Sequence, residues 1–338
     1  MTTLIFVVAF CIVAVFVYMA RYSGRLRVTQ TRLIDAPIDE VYAKVADFRH
    51  WGEWNPWLEH QPDVQTTLSE QTDAKESRYA WDSEKIGSGE IENVRMVAQE
   101  RIEQRMRFKN PFRFRGRGTW QFSNRGGKTE VTWSMNGRVG FSLRAFAQTV
   151  RGTIELDYRY GLDRIARLVE PANTPRYSLS YLGVRNIPAI RYAYSTYGGA
   201  LKGLGAAMRT GFGELRQRLV DRDLPPVGEP IAVYARTNIK LRTVVCHMGI
   251  PIGDADAGQV PVRDLPAHRA YVVRLQGSYA AMEVAWYQAM QRMRIENIQP
   301  DQRIPPFERY LNDPNTVQEN DYLTELHIPV RQIPVPLS

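Results

Sequence analysis

The chain has 338 residues, 44% of them hydrophobic and 24% charged, with a formal net charge of +8. That length holds two domains and a short additional segment, and the balanced composition excludes disorder and fibrous repeats. Basic residues are interspersed with acidic ones, so the charge gives little support to a nucleic-acid footprint and is equally explained by contact with an anionic membrane. The two cysteines, Cys11 and Cys246, offer no disulfide framework, which favours a reducing compartment.

Residues Thr2 to Ala20 carry no charge and are dominated by Leu, Ile, Val, Phe and Ala. As a helix they span roughly 28 Å, close to the hydrocarbon thickness of a bilayer. No Lys or Arg precedes Leu4, and the run closes Tyr18-Met19-Ala20, which suits a retained anchor better than a cleaved signal peptide. Arg21, Arg25 and Arg27 follow at once, so the positive-inside bias places the remainder in the cytoplasm and the anchor in the inner membrane as a single pass. Residues 1–27 are therefore assigned to the anchor and its basic flank.

From residue 28 to 170 the pattern predicts one domain. Val28 to Ile34 reads as a strand, and Asp35-Ala36-Pro37 as a helix start, with Ile38, Val41, Tyr42 and Val45 on one helical face. A short helix is expected within Trp51 to Trp57. Met106 with Phe108, Trp120 with Phe122, and Val131, Trp133 and Met135 alternate with polar residues, as in antiparallel strands covered on one face. Asn124-Arg125-Gly126-Gly127 predicts a hairpin. A stripe from Leu143 through Phe146, Val150, Ile154, Tyr158, Leu162 and Ile165 to Leu168 predicts a long terminal helix. Arg107, Lys109, Arg113, Arg115 and Arg117 form a basic stretch interleaved with Phe108, Phe112 and Phe114, which suits either a polar strand face or an approach to lipid headgroups.

This element order, with Ala36-Pro37-Ile38-Asp39-Glu40-Val41-Tyr42, Asp47-Phe48 and Trp51-Gly52-Glu53-Trp54-Asn55-Pro56-Trp57, resembles the helix-grip fold of the START and polyketide-cyclase-like (SRPBCC) superfamily. The resemblance implies a deep apolar cavity between sheet and helix. Periodicity alone does not separate an open cavity from a filled core.

Glu170 to Pro175 breaks the helix, and 171–175 reads as a linker to a second domain over 176–338. That domain contains an internal repeat: Val184-Arg185-Asn186-Ile187-Pro188-Ala189-Ile190-Arg191 matches Val262-Arg263-Asp264-Leu265-Pro266-Ala267-His268-Arg269 without a gap, and His247 to Ile252 matches Glu325 to Val330. Each half reads strand, helix, strand, strand, and two halves joined through their sheets place helices on one face and leave the other for a groove near the pseudo-twofold axis. Strand alternation turns Glu325 and His327 away from the helix layer, and puts Glu308 and Tyr310 on one face of the neighbouring strand. His247 is the twin of Glu325, and Tyr234 of Tyr310, so the groove is expected to gather two tyrosines and two titratable groups. Trp286 and Met290 share helical spacing with Met282 and Met293, which points to core.

The motifs Asp264 to Tyr271, Gly277-Ser278-Tyr279, Glu308-Arg309-Tyr310-Leu311-Asn312-Asp313-Pro314 and Thr324 to Val330 resemble the GyrI-like family, which includes effector-binding domains of transcriptional regulators. The resemblance implies a groove for small aromatic or cationic ligands, with the family's characteristic acid on Glu325 and its tyrosine on Tyr310. Some members hydrolyse strained cyclopropane-containing toxins with that glutamate, which implies a general base whose pKa rises on desolvation.

The fold class expected is α+β behind a transmembrane helix. The function expected is a membrane-anchored cytoplasmic protein that binds hydrophobic, aromatic or cationic small molecules for sensing, sequestration or transfer, with Tyr310, Glu308, Tyr234, His247 and Glu325 as ligand-binding residues. A hydrolase using Glu325 as base is the alternative from a different class, and an accessory regulator is a third, lacking any helix-turn-helix segment ahead of Arg176. Membrane lipid is an expected partner and nucleic acid is not. No zinc, Walker, dinucleotide or nucleophile-elbow motif is present, so neither metal nor cofactor is expected.

Overall fold

The computed structural model describes residues 18, 20, 21, 23–58, 61, 64–110, 113–171, 177–238 and 241–331. They form two compact units divided between residues 174 and 175, each built on one antiparallel sheet with a few helices, an α+β organisation. The apolar run expected to be an anchor lies outside the described residues, apart from Tyr18 and Ala20. Among the described residues no helix is long and apolar enough to cross a membrane.

The first unit runs β1 (Arg25–Ile34), α1 (Ile38–Ala46), a short α2 (Trp51–Trp54), β2 (Gln65–Leu68), β3 (Arg78–Asp82), β4 (Ser88–Val97), β5 (Arg101–Asn110), β6 (Phe114–Arg125), β7 (Lys128–Val139) and α3 (Ala147–Val169). Strands β2 to β7 form a meander, and β7 returns to pair with β1, giving the order β1-β7-β6-β5-β4-β3-β2. Gly126 and Gly127 close the β6–β7 hairpin with φ of +64° and +87°, the left-handed pair that a two-residue turn needs to follow the strand twist.

α3 packs against β1 and buries Tyr158, Leu162, Ile165 and Ala166. It is shorter than the apolar stripe. Phe141–Phe146 winds as a 3₁₀ turn before the helix begins, leaving Phe146 58% exposed, and Leu168 at the far end is 44% exposed.

Aromatic rings pack against one another in the core of this unit. Trp133 is stacked between Trp120 and Tyr158, with ring centroids 4.2 and 3.6 Å away, and Trp54 meets both indoles edge-on at 5.7 Å. Buried indoles need acceptors: Trp51 and Trp54 donate to the carbonyls of Val45 and Lys44, both at 2.9 Å, and Trp120 donates to Oε1 of Gln104 at 3.1 Å. Trp51, Trp54, Trp120 and Trp133, together with Phe48, Tyr79 and Tyr158, belong to the buried core of this unit.

The second unit runs β8 (Ser178–Ile187), β9 (Ile190–Ala200), α4 (Leu204–Val220), β10 (Ile231–Asn238), β11 (Thr243–Pro251), β12 (Val262–Leu265), β13 (His268–Gln276), α5 (Met282–Ile295), β14 (Phe307–Tyr310) and β15 (Leu323–Pro329). Its order is β12-β9-β11-β10-β14-β15-β13-β8. Replacing each strand by its repeat counterpart reverses that order onto itself, so the duplication is a structural twofold. The axis passes between β10 and β14, where Ala232 lies opposite Glu308. The flanking bonds obey the same symmetry: the Tyr234 amide donates to the carbonyl of Pro306 at 2.9 Å, and the Tyr310 amide to that of Pro230 at 3.0 Å. Each repeat also sends its leading strand to the other half, β8 pairing with β13 and β12 with β9.

Trp133→Ala removes the middle ring of the first unit's stack and should lower its stability by about 3–5 kcal/mol, as for other large-to-small aromatic changes in cores. Denaturant unfolding followed by near-UV circular dichroism measures it; a loss below about 1 kcal/mol would show that the rings do not pack tightly.

Candidate functional site

In the second unit α4 packs on β9 and β11, and α5 on β13. The central strands β10 and β14 are left as a floor between the helices. Directly paired residues share a face, so the row Met248, Ala232, Glu308 and Leu326 points to the helix side, as does Tyr234 opposite Cys246. The groove therefore lies on the helix-bearing face, and the expectation that it occupies the opposite face is corrected.

Glu308 is the charged group in this floor, 2% exposed. Its Oε1 accepts from the Tyr234 hydroxyl at 2.6 Å and from Nε1 of Trp286 at 2.7 Å, and its Oε2 accepts from the Tyr310 hydroxyl at 2.7 Å. Among the described residues no cationic side chain pairs with it. Burial raises its pKa above the ordinary carboxylate value, and the bonds from Trp286, Tyr234 and Tyr310 oppose that rise without cancelling it. The same burial, and the neighbouring carboxylate, push both tyrosine hydroxyls well up. Cys246 beneath them is a free buried thiol raised by burial to about 12, unsuited to nucleophilic work.

Aromatic rings continue outward from the carboxylate. Tyr234 meets Trp286 edge-on at 5.5 Å, Tyr310 meets Tyr279 at 5.8 Å and Phe212 at 5.7 Å, and Tyr279 stacks on Tyr322 at 4.9 Å. Met208 brings its sulfur to 3.5 Å from the Tyr310 hydroxyl. Met290, 43% exposed, lines the groove nearer solvent. The result is an acid at the bottom of an aromatic cleft.

Of the five residues singled out from sequence, the structure brings Tyr234, Glu308 and Tyr310 together and puts Glu325 and His247 on the reverse face. Glu325 lies opposite Arg309, and His247 opposite Val233. Nε2 of His327 is 3.2 Å from Oε2 of Glu325, and Nη2 of Arg274 is 2.7 Å from its Oε1. The His327 contact and the Arg274 guanidinium hold the Glu325 pKa down to about 2, the reverse of the rise expected for a general base. His247, buried beside Tyr194 with ring centroids 4.5 Å apart, has its pKa lowered by burial and then by Arg263. Helical spacing marks Trp286 as core; it packs there in part and also donates to the acid. Tyr279 stood inside the Gly277-Ser278-Tyr279 motif, whereas nothing in the sequence distinguished Met208, Phe212 or Tyr322 from packing residues. Among the described residues no group of His, Cys, Asp and Glu is arranged to hold a metal ion.

Comparison with protein families gives two matches. Residues 25–170 match the model described as polyketide cyclase/dehydrase and lipid transport, and residues 210–331 match the model described as a GyrI-like small-molecule-binding domain. The chain thus carries a polyketide-cyclase-type domain followed by a GyrI-like domain. Comparison with curated proteins gives no match. Similar solved structures include the C-terminal domain of EcmrR, 16% identical over 46% of this chain and 99% of that one, with a TM-score of 0.40. Protein CV1439 of Chromobacterium violaceum is 16% identical over 43% and 97%, with a TM-score of 0.35. SAV2435 bound to tetraphenylphosphonium is 14% identical over 46% and 94%, with a TM-score of 0.35.

The depressed pKa of Glu325 makes a pH-dependent contribution to stability. Its ionised form is favoured in the folded state relative to an unfolded value of about 4.3, so the contribution is complete above that value and is lost as pH falls towards about 2. Glu325→Gln should therefore unfold earlier than the parent chain at pH 7, with the gap shrinking between pH values of about 5 and 2. A gap in denaturant midpoint that stays constant across that window would show that Arg274 and His327 do not stabilise the carboxylate.

Proposed function

We propose that the chain is a membrane-anchored small-molecule-binding protein whose GyrI-like domain takes apolar organic cations into the groove between α4 and α5, with Glu308 as the counter-charge. The observation that carries this is the buried Glu308 carboxylate, held by three aromatic donors with no cationic side chain among the described residues paired with it. A buried carboxylate without a counter-ion is costly, and a cation about 4 Å away interacts with it by about 4 kcal/mol at an effective dielectric constant near 20. The faces of Tyr234, Trp286 and Tyr310 add cation–π attraction of about 0.5–2 kcal/mol. The surrounding rings and methionines suit an apolar body of variable shape, because thioethers adapt to irregular contacts.

The anchor in this proposal is supported by the uncharged run Thr2 to Ala20 and the arginines after it. They favour a single pass through the inner membrane with both domains in the cytoplasm, where amphipathic cations partition to the bilayer surface. Sensing, sequestration or handover of such compounds follows from binding beside the membrane. No observation favours Glu325 as a hydrolytic base, since it is ion-paired on the other side of the sheet.

Ethidium fluorescence titrated against the detergent-solubilised full chain tests the site. Glu308→Gln should weaken binding at least tenfold, a loss of about 1.4 kcal/mol or more. Because the cation needs ionised Glu308, wild-type affinity should fall as pH drops through its raised pKa, beginning above the ordinary carboxylate range, while the variant stays flat. Equal affinity for both proteins at neutral pH would exclude Glu308 as the counter-charge.

A further inference from the structure

The register of the first sheet lines up arginines across four neighbouring strands. Arg25 lies opposite Arg138, Arg138 opposite Arg115, and Arg115 opposite Arg107. Two residues further along, Arg27, Arg117 and Arg105 form a second row with Asn136 between the first two. All seven arginines are exposed, on the face opposite Leu26, Val28, Met106 and Met135, which point into the core. With strands about 4.8 Å apart and alternate residues about 6.8 Å apart, the array covers roughly 14 by 7 Å.

Its internal compensation is small. Glu90 pairs with Arg107 at 3.5 Å and Glu92 with Arg105 at 3.1 Å, and Arg27 donates to Asn136 at 3.0 Å. Among the described residues no carboxylate pairs with Arg25, Arg115, Arg117 or Arg138. Like charges directly opposite one another destabilise a sheet, and an external anion removes that repulsion. A recess at these strands is lined by Arg105, Met106, Arg107, Arg115 and Gly116.

The position of the array selects the anion. The first row sits where β1 and β6 begin and β5 and β7 end, and the Val139 amide there donates to the carbonyl of Gly24 at 3.0 Å. Phe141 and Phe146, 36% and 58% exposed, follow β7 at the same end. Arg25 is five residues beyond Ala20, the end of the apolar run, a reach of at most about 17 Å. Guanidinium groups bind phosphate through paired hydrogen bonds, and exposed aromatics beside a basic surface suit the headgroup layer.

We propose that this end of the first sheet docks on anionic phospholipid headgroups, so that the polyketide-cyclase-type domain lies against the bilayer rather than hanging from it. The choice of a bilayer over another polyanion rests on the proposed anchor. The test places the full chain in nanodiscs of phosphatidylcholine, alone or with one-third phosphatidylglycerol, and maps arginine modification by phenylglyoxal with mass spectrometry. Arg25, Arg115 and Arg138 should react at least threefold more slowly in the anionic discs and recover in 0.5 M salt, while Arg209 on α4 is unchanged. Equal rates in both discs overturn the proposal. Flotation with neutral vesicles scores the anchor separately; if the chain does not float, anionic vesicles added to it still decide the arginine protection. Stronger protection by duplex DNA than by vesicles at equal phosphate would reassign the surface to nucleic acid and overturn the lipid. Arg115→Gln with Arg138→Gln should abolish the salt-sensitive protection of Arg25 and leave the chain folded, with an unchanged or higher melting temperature.

Discussion

A carboxylate buried on the twofold axis of the second unit sets the terms for everything around it. An ion such as Glu308, taken out of water, costs several kcal/mol even after relaxation, and each hydrogen bond to it returns about 1.5–3 kcal/mol. Three donors converge on it from three different elements: Tyr234 from β10, Tyr310 from its own strand β14, and Trp286 from α5. The two tyrosines occupy equivalent positions, each two residues beyond the pair Ala232 and Glu308 that faces across the axis. One acid is therefore served by both halves of the duplication. Had the methyl group of Ala232 been a second carboxylate, two like charges would share one buried site.

The same comparison explains how a symmetric frame makes an asymmetric cleft. The repeats are offset by 78 positions through β9 and β13 and the helices that follow, which makes Met208 the twin of Trp286 and Leu201 the twin of Tyr279. On the α5 side the positions carry an indole donor and a phenol; on the α4 side they carry a thioether and an aliphatic chain. Backbone symmetry supplies a floor flanked by two helices, and side-chain divergence supplies a polar, hydrogen-bonding wall facing a soft apolar one. The cleft is thus polar on one side and apolar on the other.

Much of this arrangement is legible in the sequence. Alternation at Trp120, Phe122, Val131, Trp133 and Met135 identified half-buried strands, the Gly126-Gly127 pair identified their turn, and the ungapped match of Val184 to Arg191 with Val262 to Arg269 identified the duplication. The failures have a common physical origin. Period two states which residues of one strand share a face, but not how that strand is registered against its neighbour; by itself it puts Glu308 and Glu325 in one groove, whereas the pairing of Glu308 with Leu326 and of Arg309 with Glu325 separates them by the thickness of the sheet. Likewise, helical spacing marks Trp286 as facing the sheet without revealing that its N–H finds a carboxylate there. Whether rings such as Trp133 and Tyr158 line a void or fill it depends on volumes, which periodicity does not carry. The arginine rows belong to the same category, since Arg25 and Arg138 become neighbours only through the β1–β7 register.

The exchange of leading strands between the repeats, β8 to β13 and β12 to β9, makes the second unit an internal domain swap. Neither repeat owns its edge: each outermost strand belongs in sequence to the other half. A protein that divided after β11 would release two fragments, each with an unpaired hydrogen-bonding edge and a strand with no local partner. The halves are thus interlocked rather than merely adjacent. Assembly must wait for pairings between segments distant in the chain, which slows folding. In return, the geometry around the carboxylate is held by the closure of the whole sheet and not by any single contact.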